Sequence, residues 1–155
     1  MATDKPVPSM KEIHVVHSLE ETATLAAFLL PALLKAEVVS LEGPLGAGKT
    51  HFVKALALAL GITEEVTSPT FTLLQSYQGH GAGEQQLHHS DWYRLESAKE
   101  ALALGLEEYY GDGLMIIEWG DKFPEILPSG TLRLRIEPQA DESRAVSIST
   151  HPTLP

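Results

Sequence analysis

The sequence predicts an α/β fold, a three-layer sandwich with a mixed central sheet flanked by helices. Three observations lead there. Glu37-Val38-Val39-Ser40-Leu41-Glu42 is a short run rich in β-branched residues and reads as a buried strand. It runs directly into Gly43-Pro44-Leu45-Gly46-Ala47-Gly48-Lys49-Thr50, and a strong helix former, residues 51–60, follows and is closed by Gly61. Further on, two strand-like runs are joined by a loop too short for a parallel crossover, so that pair is antiparallel and the sheet is mixed. A length of 155 residues suits one domain with a full-sized core. The expected organisation is a loose tail over residues 1–10, one domain over residues 11–150 and a short tail over residues 151–155.

The elements follow in order. Ile13-His14-Val15-Val16-His17 reads as a strand. Ser18 caps the next helix, with Glu20 and Glu21 in its first turn, where carboxylates complement the helix dipole. Leu25, Phe28 and Leu29 share one face of that helix, and Pro31 is expected to kink it or end it early. After the helix at residues 51–60 comes a polar connection through Ser68-Pro69-Thr70. Phe71 to Tyr77 alternates as a strand, residues 78–84 hold three glycines and are expected to form a mobile hairpin tip, and residues 85–90 pair back. Ser97 caps a short helix from Ala98 to Leu104, with Glu100 completing a capping box. Leu114-Met115-Ile116-Ile117-Glu118 is four apolar residues ending in a carboxylate. Residues 131–137 and 145–149 alternate cleanly and form a closing hairpin with one wet face.

Composition bounds the function. The formal net charge is −10, which disfavours direct binding of DNA or RNA, since that affinity comes largely from lysine and arginine on phosphates. Any link to RNA would run through another protein. There is no cysteine, which fits a reducing, cytoplasmic setting. No apolar run is long enough for a membrane span, and the first residues lack the charged and apolar regions of a signal peptide.

Residues 43–50 match the P-loop pattern of Gly, four residues, Gly-Lys-Ser/Thr, in the strand–loop–helix context it requires. Successive N–H groups of Leu45, Gly46, Ala47, Gly48, Lys49, Thr50 and His51 can converge on one anion, and the helix N-terminus adds partial positive charge. Lys49 is expected to reach the β and γ phosphates of a nucleotide and Thr50 to ligate Mg²⁺. Glu118 has the form of a Walker B acid at the phosphate end of a buried strand. Asp91 ends another strand and could ligate the metal or position an attacking water. Thr70, after a rigid Ser-Pro step, could sense the γ-phosphate. His88 and His89 are adjacent on a strand, so they face opposite ways and cannot share a metal. No arginine is evidently placed as a finger; Arg94 comes nearest.

Together these stretches resemble the TsaE (YjeE) family of small bacterial P-loop ATPases. The likeness runs from about Ser18 to Pro128, through Gly46-Ala47-Gly48-Lys49-Thr50, Ser68-Pro69-Thr70-Phe71, His89-Ser90-Asp91-Trp92-Tyr93-Arg94 and Ile117-Glu118-Trp119. The resemblance implies an ATPase acting with TsaB and TsaD to form N6-threonylcarbamoyladenosine in tRNAs reading codons that start with A. It implies that Lys49 holds phosphate, that Thr50 and Glu118 hold Mg²⁺, that Asp91 is catalytic and that Thr70 is a switch-like hydroxyl. It also implies that Trp119 sits beside the nucleotide and that Glu21 approaches the base. This chain departs from the family pattern at Pro44, where an aspartate is common, and at His51, which replaces a frequent hydroxyl. Two other readings stand beside this one. A small-molecule P-loop kinase would need an arginine-rich lid, and no such segment lies between Arg94 and Arg133. An ATP-sensing adaptor with little turnover is compatible with Pro44.

Overall fold

The computed structural model describes residues 12–81 and 83–150. The tails expected over residues 1–10 and 151–155 lie outside them. Seven strands form one sheet: β1 (Glu12–Val16), β2 (Val38–Glu42), β3 (Leu74–Gln78), β4 (Gln86–Asp91), β5 (Leu114–Glu118), β6 (Leu132–Pro138) and β7 (Arg144–Thr150). Their order across the sheet is β1-β7-β6-β2-β5-β4-β3. The central strands β6, β2, β5 and β4 are parallel, while β1, β7 and β3 pair antiparallel with their neighbours. The sheet is mixed, as the short loops required.

The helices cover both faces. α1 (Leu19–Ala36) and α2 (Lys49–Ala59) pack on one side, where Leu25, Leu29, Leu33, Phe52, Val53 and Leu56 meet Val39, Leu41, Ile116 and Leu134. α3 (Ala98–Leu102) and the single turns at Leu106–Glu108 and Pro124–Ile126 lie on the other, against Val38, Met115 and Ile117. The alternation of Val38 with Val39 and of Met115 with Ile116 between the two cores is the period of two expected of a strand buried on both faces. Every residue of β2 and β5 is buried.

Several local expectations change. Pro31 neither ends nor shortens α1, which runs unbroken to Ala36. Both Pro31 and Ala27 are exposed, so the carbonyl that loses its intrahelical donor is within reach of water. Phe28 is 69% exposed rather than part of the core, and it meets His14 edge-on. The buried stripe instead passes through Leu25, Ala26, Leu29 and Leu33. β3 starts at Leu74, not Phe71. Residues 71–73 form a turn that Leu73 closes with φ 66°, leaving Phe71 82% exposed. The hairpin tip after β3 is tied down, with His80 and Gly81 donating backbone N–H groups to Gly61 and Leu60 at the end of α2. α3 ends at Leu102, two residues early, and Leu106–Glu108 forms a separate turn.

Candidate functional site

The site is built by register. Asp91 and Glu118 are direct partners across the parallel strands β4 and β5, and Glu118 is level with Leu41 of β2 on its other side. Three parallel strands therefore end together, and the glycine-rich loop leaves β2 at that edge. This is where an open α/β sheet places a ligand, outside the carboxyl ends of its parallel strands. The loop itself depends on glycine. A Cβ on Gly43, at φ 144°, would stand 2.3 Å from the Ile136 carbonyl oxygen, and Gly48 is the left-handed residue that opens α2, at φ 101°. Pro44 fits this turn, because its carbonyl accepts the Ala47 N–H at 3.1 Å.

A cavity of about 480 Å³ lies over the loop. Leu45, Gly46, Gly48, Lys49, Thr50, His51, Thr70, Asp91, Glu118 and Trp119 all line it, together with Ser68, Tyr93, Arg94 and Arg144. Two of the residues expected at the site are not among them. Ala47 is fully buried beneath the loop. Glu21 sits at the start of α1, where its carboxylate accepts the His17 backbone N–H at 2.8 Å and lies 3.2 Å from His17 Nδ1. Those two contacts hold its carboxyl below the usual value. A narrower cleft bordered by Val16, Leu19, Thr22 and Phe52 shares Gly48, His51 and Arg144 with the main cavity.

Within the cavity the charges are held under tension. Lys49 is buried, donates to the Gly43 carbonyl at 2.7 Å and lies 3.8 Å from the centroid of the Trp119 ring. Burial lowers its pKa from the ordinary lysine value, against the pull of Glu118 and Asp91. Burial also raises the Asp91 carboxyl, opposed by the Tyr93 N–H that it accepts at 2.8 Å and reinforced by the Glu118 charge. Glu118 is buried, with Oε2 2.6 Å from His89 Nε2. Trp119 adopts a left-handed backbone, φ 62°, and packs its ring at a tilt on Tyr93, centroids 5.0 Å apart. Thr70 Oγ1 is 2.8 Å from Ser68 Oγ at the rim.

Two arginines reach this cavity: Arg94, which the sequence offered as the nearest candidate, and Arg144, which it did not mark. Arg94 lies over the exposed Phe71 ring at 4.7 Å. Arg144, at the start of β7, brings its Nε to 3.0 Å from where a Gly48 Cβ would stand, and that buried nitrogen has no partner among the described residues. An unpaired guanidinium nitrogen beside the loop favours an anion there. No local motif marks Arg144. Its position follows from pairing with Val16 of β1 and Pro138 of β6.

The donor set fits magnesium, a hard ion that prefers oxygen: one hydroxyl, Thr50, and two carboxylates, Asp91 and Glu118. Among the described residues no three histidines or carboxylates converge to hold an ion by themselves. The remaining ligands would be phosphate oxygens and water. None of the described helices is long and apolar enough to cross a membrane.

Comparison with known proteins gives a family. The family model described as "Threonylcarbamoyl adenosine biosynthesis protein TsaE" matches residues 16–146. A tRNA threonylcarbamoyladenosine biosynthesis protein TsaE from Treponema pallidum is 42% identical over 136 residues, covering 87% of this chain and 98% of that protein. The protein of the same name from Bacillus subtilis is 40% identical over 131 residues, covering 84% and 80%. A crystal structure of Bacillus subtilis YdiB superposes with a TM-score of 0.73 at 31% identity, covering 95% of this chain and 90% of that one. With the family model matching residues 16–146, from the end of β1 to the start of β7, and the relatives aligned over most of their length, the chain belongs to the TsaE family.

Proposed function

We propose that this chain binds Mg²⁺-ATP in the cavity over residues 43–50 and hydrolyses it slowly. It does so as the ATPase subunit of the machinery that forms N6-threonylcarbamoyladenosine in tRNAs reading codons that start with A. TsaB and TsaD are its partners, and tRNA is met only through them. The observation that supports this most is the convergence of Lys49, Thr50, Asp91, Glu118 and the unpaired Arg144 on one cavity at the end of the parallel strands.

The chemistry follows from the side chains. Backbone N–H groups of residues 45, 46 and 48–50, at the loop and the start of α2, surround the polyphosphate, while the Ala47 N–H stays on the Pro44 carbonyl. Lys49 moves its ammonium onto phosphate oxygen, a stronger partner than the Trp119 ring. Thr50 and Glu118 would hold the magnesium, which would supply positive charge against the triphosphate. Asp91, with a pKa raised by burial, orients the attacking water and accepts its proton. Arg144 stabilises negative charge beside Gly48. Thr70 and Trp119, which both line the cavity, sense the γ-phosphate in this reading.

The test is turnover with and without partners. ATP hydrolysis by the chain alone is expected to be slow and to rise on addition of TsaB and TsaD. Glu118→Ala is expected to keep most nucleotide binding and to lose turnover in both settings. Turnover that stays flat with the partners present would leave an ATP-sensing adaptor instead. Transfer of phosphate to any acceptor but water would point to a kinase.

A further inference from the structure

His89 stands directly behind the two cavity carboxylates. It shares a face of β4 with Asp91, two residues on, and its register partner in β5 is Ile116, two residues before Glu118. The His89 ring is fully buried, and its Nε2 lies 2.6 Å from Glu118 Oε2. An ionised carboxylate only accepts hydrogen bonds, so Nε2 carries the hydrogen and donates. Nδ1 is buried without a partner among the described residues, which suits a bare lone pair better than an orphaned N–H. No hydrogen bond reaches Glu118 Oε1 among the described residues, and Glu118 lines the cavity. One carboxylate oxygen is thus pinned from behind and the other left for the cavity.

We propose that His89 is a positioning residue for the metal: its Nε2–H fixes the Glu118 carboxylate in the orientation that accepts Mg²⁺. The inference rests on the Mg²⁺-ATP reading given above. His88 has no such part. It faces the opposite core, bonds Ser76 Oγ at 2.7 Å and the Asp112 carbonyl at 2.9 Å, and packs on Tyr109. Partners that orient a metal ligand are worth about tenfold to a hundredfold in metal affinity.

The experiment measures nucleotide affinity by calorimetry against Mg²⁺ concentration, using ADP and a non-hydrolysable ATP analogue. His89→Phe keeps the buried ring and removes the donor; His89→Gln keeps a donor at similar reach. For His89→Phe the affinity in chelator is expected to match wild type, while half-saturating Mg²⁺ rises about tenfold or more. His89→Gln is expected to restore most of the Mg²⁺ response. A folded His89→Phe with wild-type Mg²⁺ dependence would overturn the proposal, as would a His89→Gln as impaired as His89→Phe. Nitrogen NMR of the unaltered protein supplies a test independent of any variant folding. The His89 resonances are expected to show the Nε2–H tautomer and to shift when Mg²⁺ is added to the nucleotide complex. An Nδ1–H tautomer, or no response to the metal, would overturn it. Failure of the unaltered chain to bind nucleotide at all would instead remove the underlying nucleotide reading, and the proposal with it.

Discussion

At Asp91 the fold accepts a cost that the proposed ATPase role would explain. The carboxylate is buried beside Glu118, and its charged form is disfavoured by both burial and repulsion. Asp91→Asn keeps the Oδ1 acceptor for the Tyr93 N–H and removes the charge. Near neutral pH the variant is expected to be more stable by about 0.5–2 kcal/mol, the usual gain when an unfavourable charge at a functional site is removed. The sign follows from linkage. A carboxyl whose pKa is raised by folding makes the folded state lose stability as pH rises from the ordinary value of 3.8 through the raised one. The advantage of the variant should therefore vanish below that ordinary value, as denaturant melts at several pH values would show. Its ATP turnover is expected to fall by about a hundredfold or more, the usual weight of a general base. Equal stability at all pH values, or wild-type turnover, would count against the role given to Asp91.

At the level of elements, α1 and the buried pair at the end of β2 carry the clearest expectations. Pro31 breaks one hydrogen bond of α1 on an exposed face. Pro31→Ala is expected to raise stability by about 1–3 kcal/mol, read from the denaturant midpoint. Glu42 is 1% exposed and receives Arg133 through Nε and Nη2, both at 2.8 Å, with the Ser40 hydroxyl as a third donor. Arg133→Met strands that carboxylate and is expected to cost about 2–3 kcal/mol. This is less than for a fully dry pair, because the Arg133 side chain is 39% exposed and water shares its load. Adding Glu42→Gln should recover much of the loss, since the uncompensated charge is then gone. What could be read from the chain before its structure follows the same division. Strand, loop and α2 are contiguous in sequence, so their motif was legible, as were the Ser18 and Ser97 caps, whose partners lie three residues away. Phe28 misled because an apolar residue at helical spacing need not be buried, and Phe71 because alternation does not fix where a strand begins; neighbouring elements decide which apolar side chains have a surface to meet.

Across the whole molecule, the site is a product of strand order. Placing β5 between β2 and β4 brings Glu118 level with Leu41 and Asp91, and placing β7 between β1 and β6 carries Arg144 to the loop. Lys49 and Arg144 are 95 positions apart in the chain, and Asp91 and Glu118 are 27. No spacing rule links such distant residues. Asp91 and Thr70 were only open possibilities from their own positions and drew firmer roles from resemblance to a family, as Trp119 did altogether, and Arg144 and the His89 contact became visible only through the register. The account depends above all on a triphosphate resting on the loop with Lys49 as its cation. Calorimetric titration of Mg²⁺-ATP into the full chain, alongside Lys49→Ala, tests this most directly. The expected result is saturable one-to-one binding by the unaltered protein and a loss of at least about a hundredfold in the variant, as befits a buried charged contact to phosphate. No heat from the unaltered chain, or equal affinity in both proteins, would contradict it.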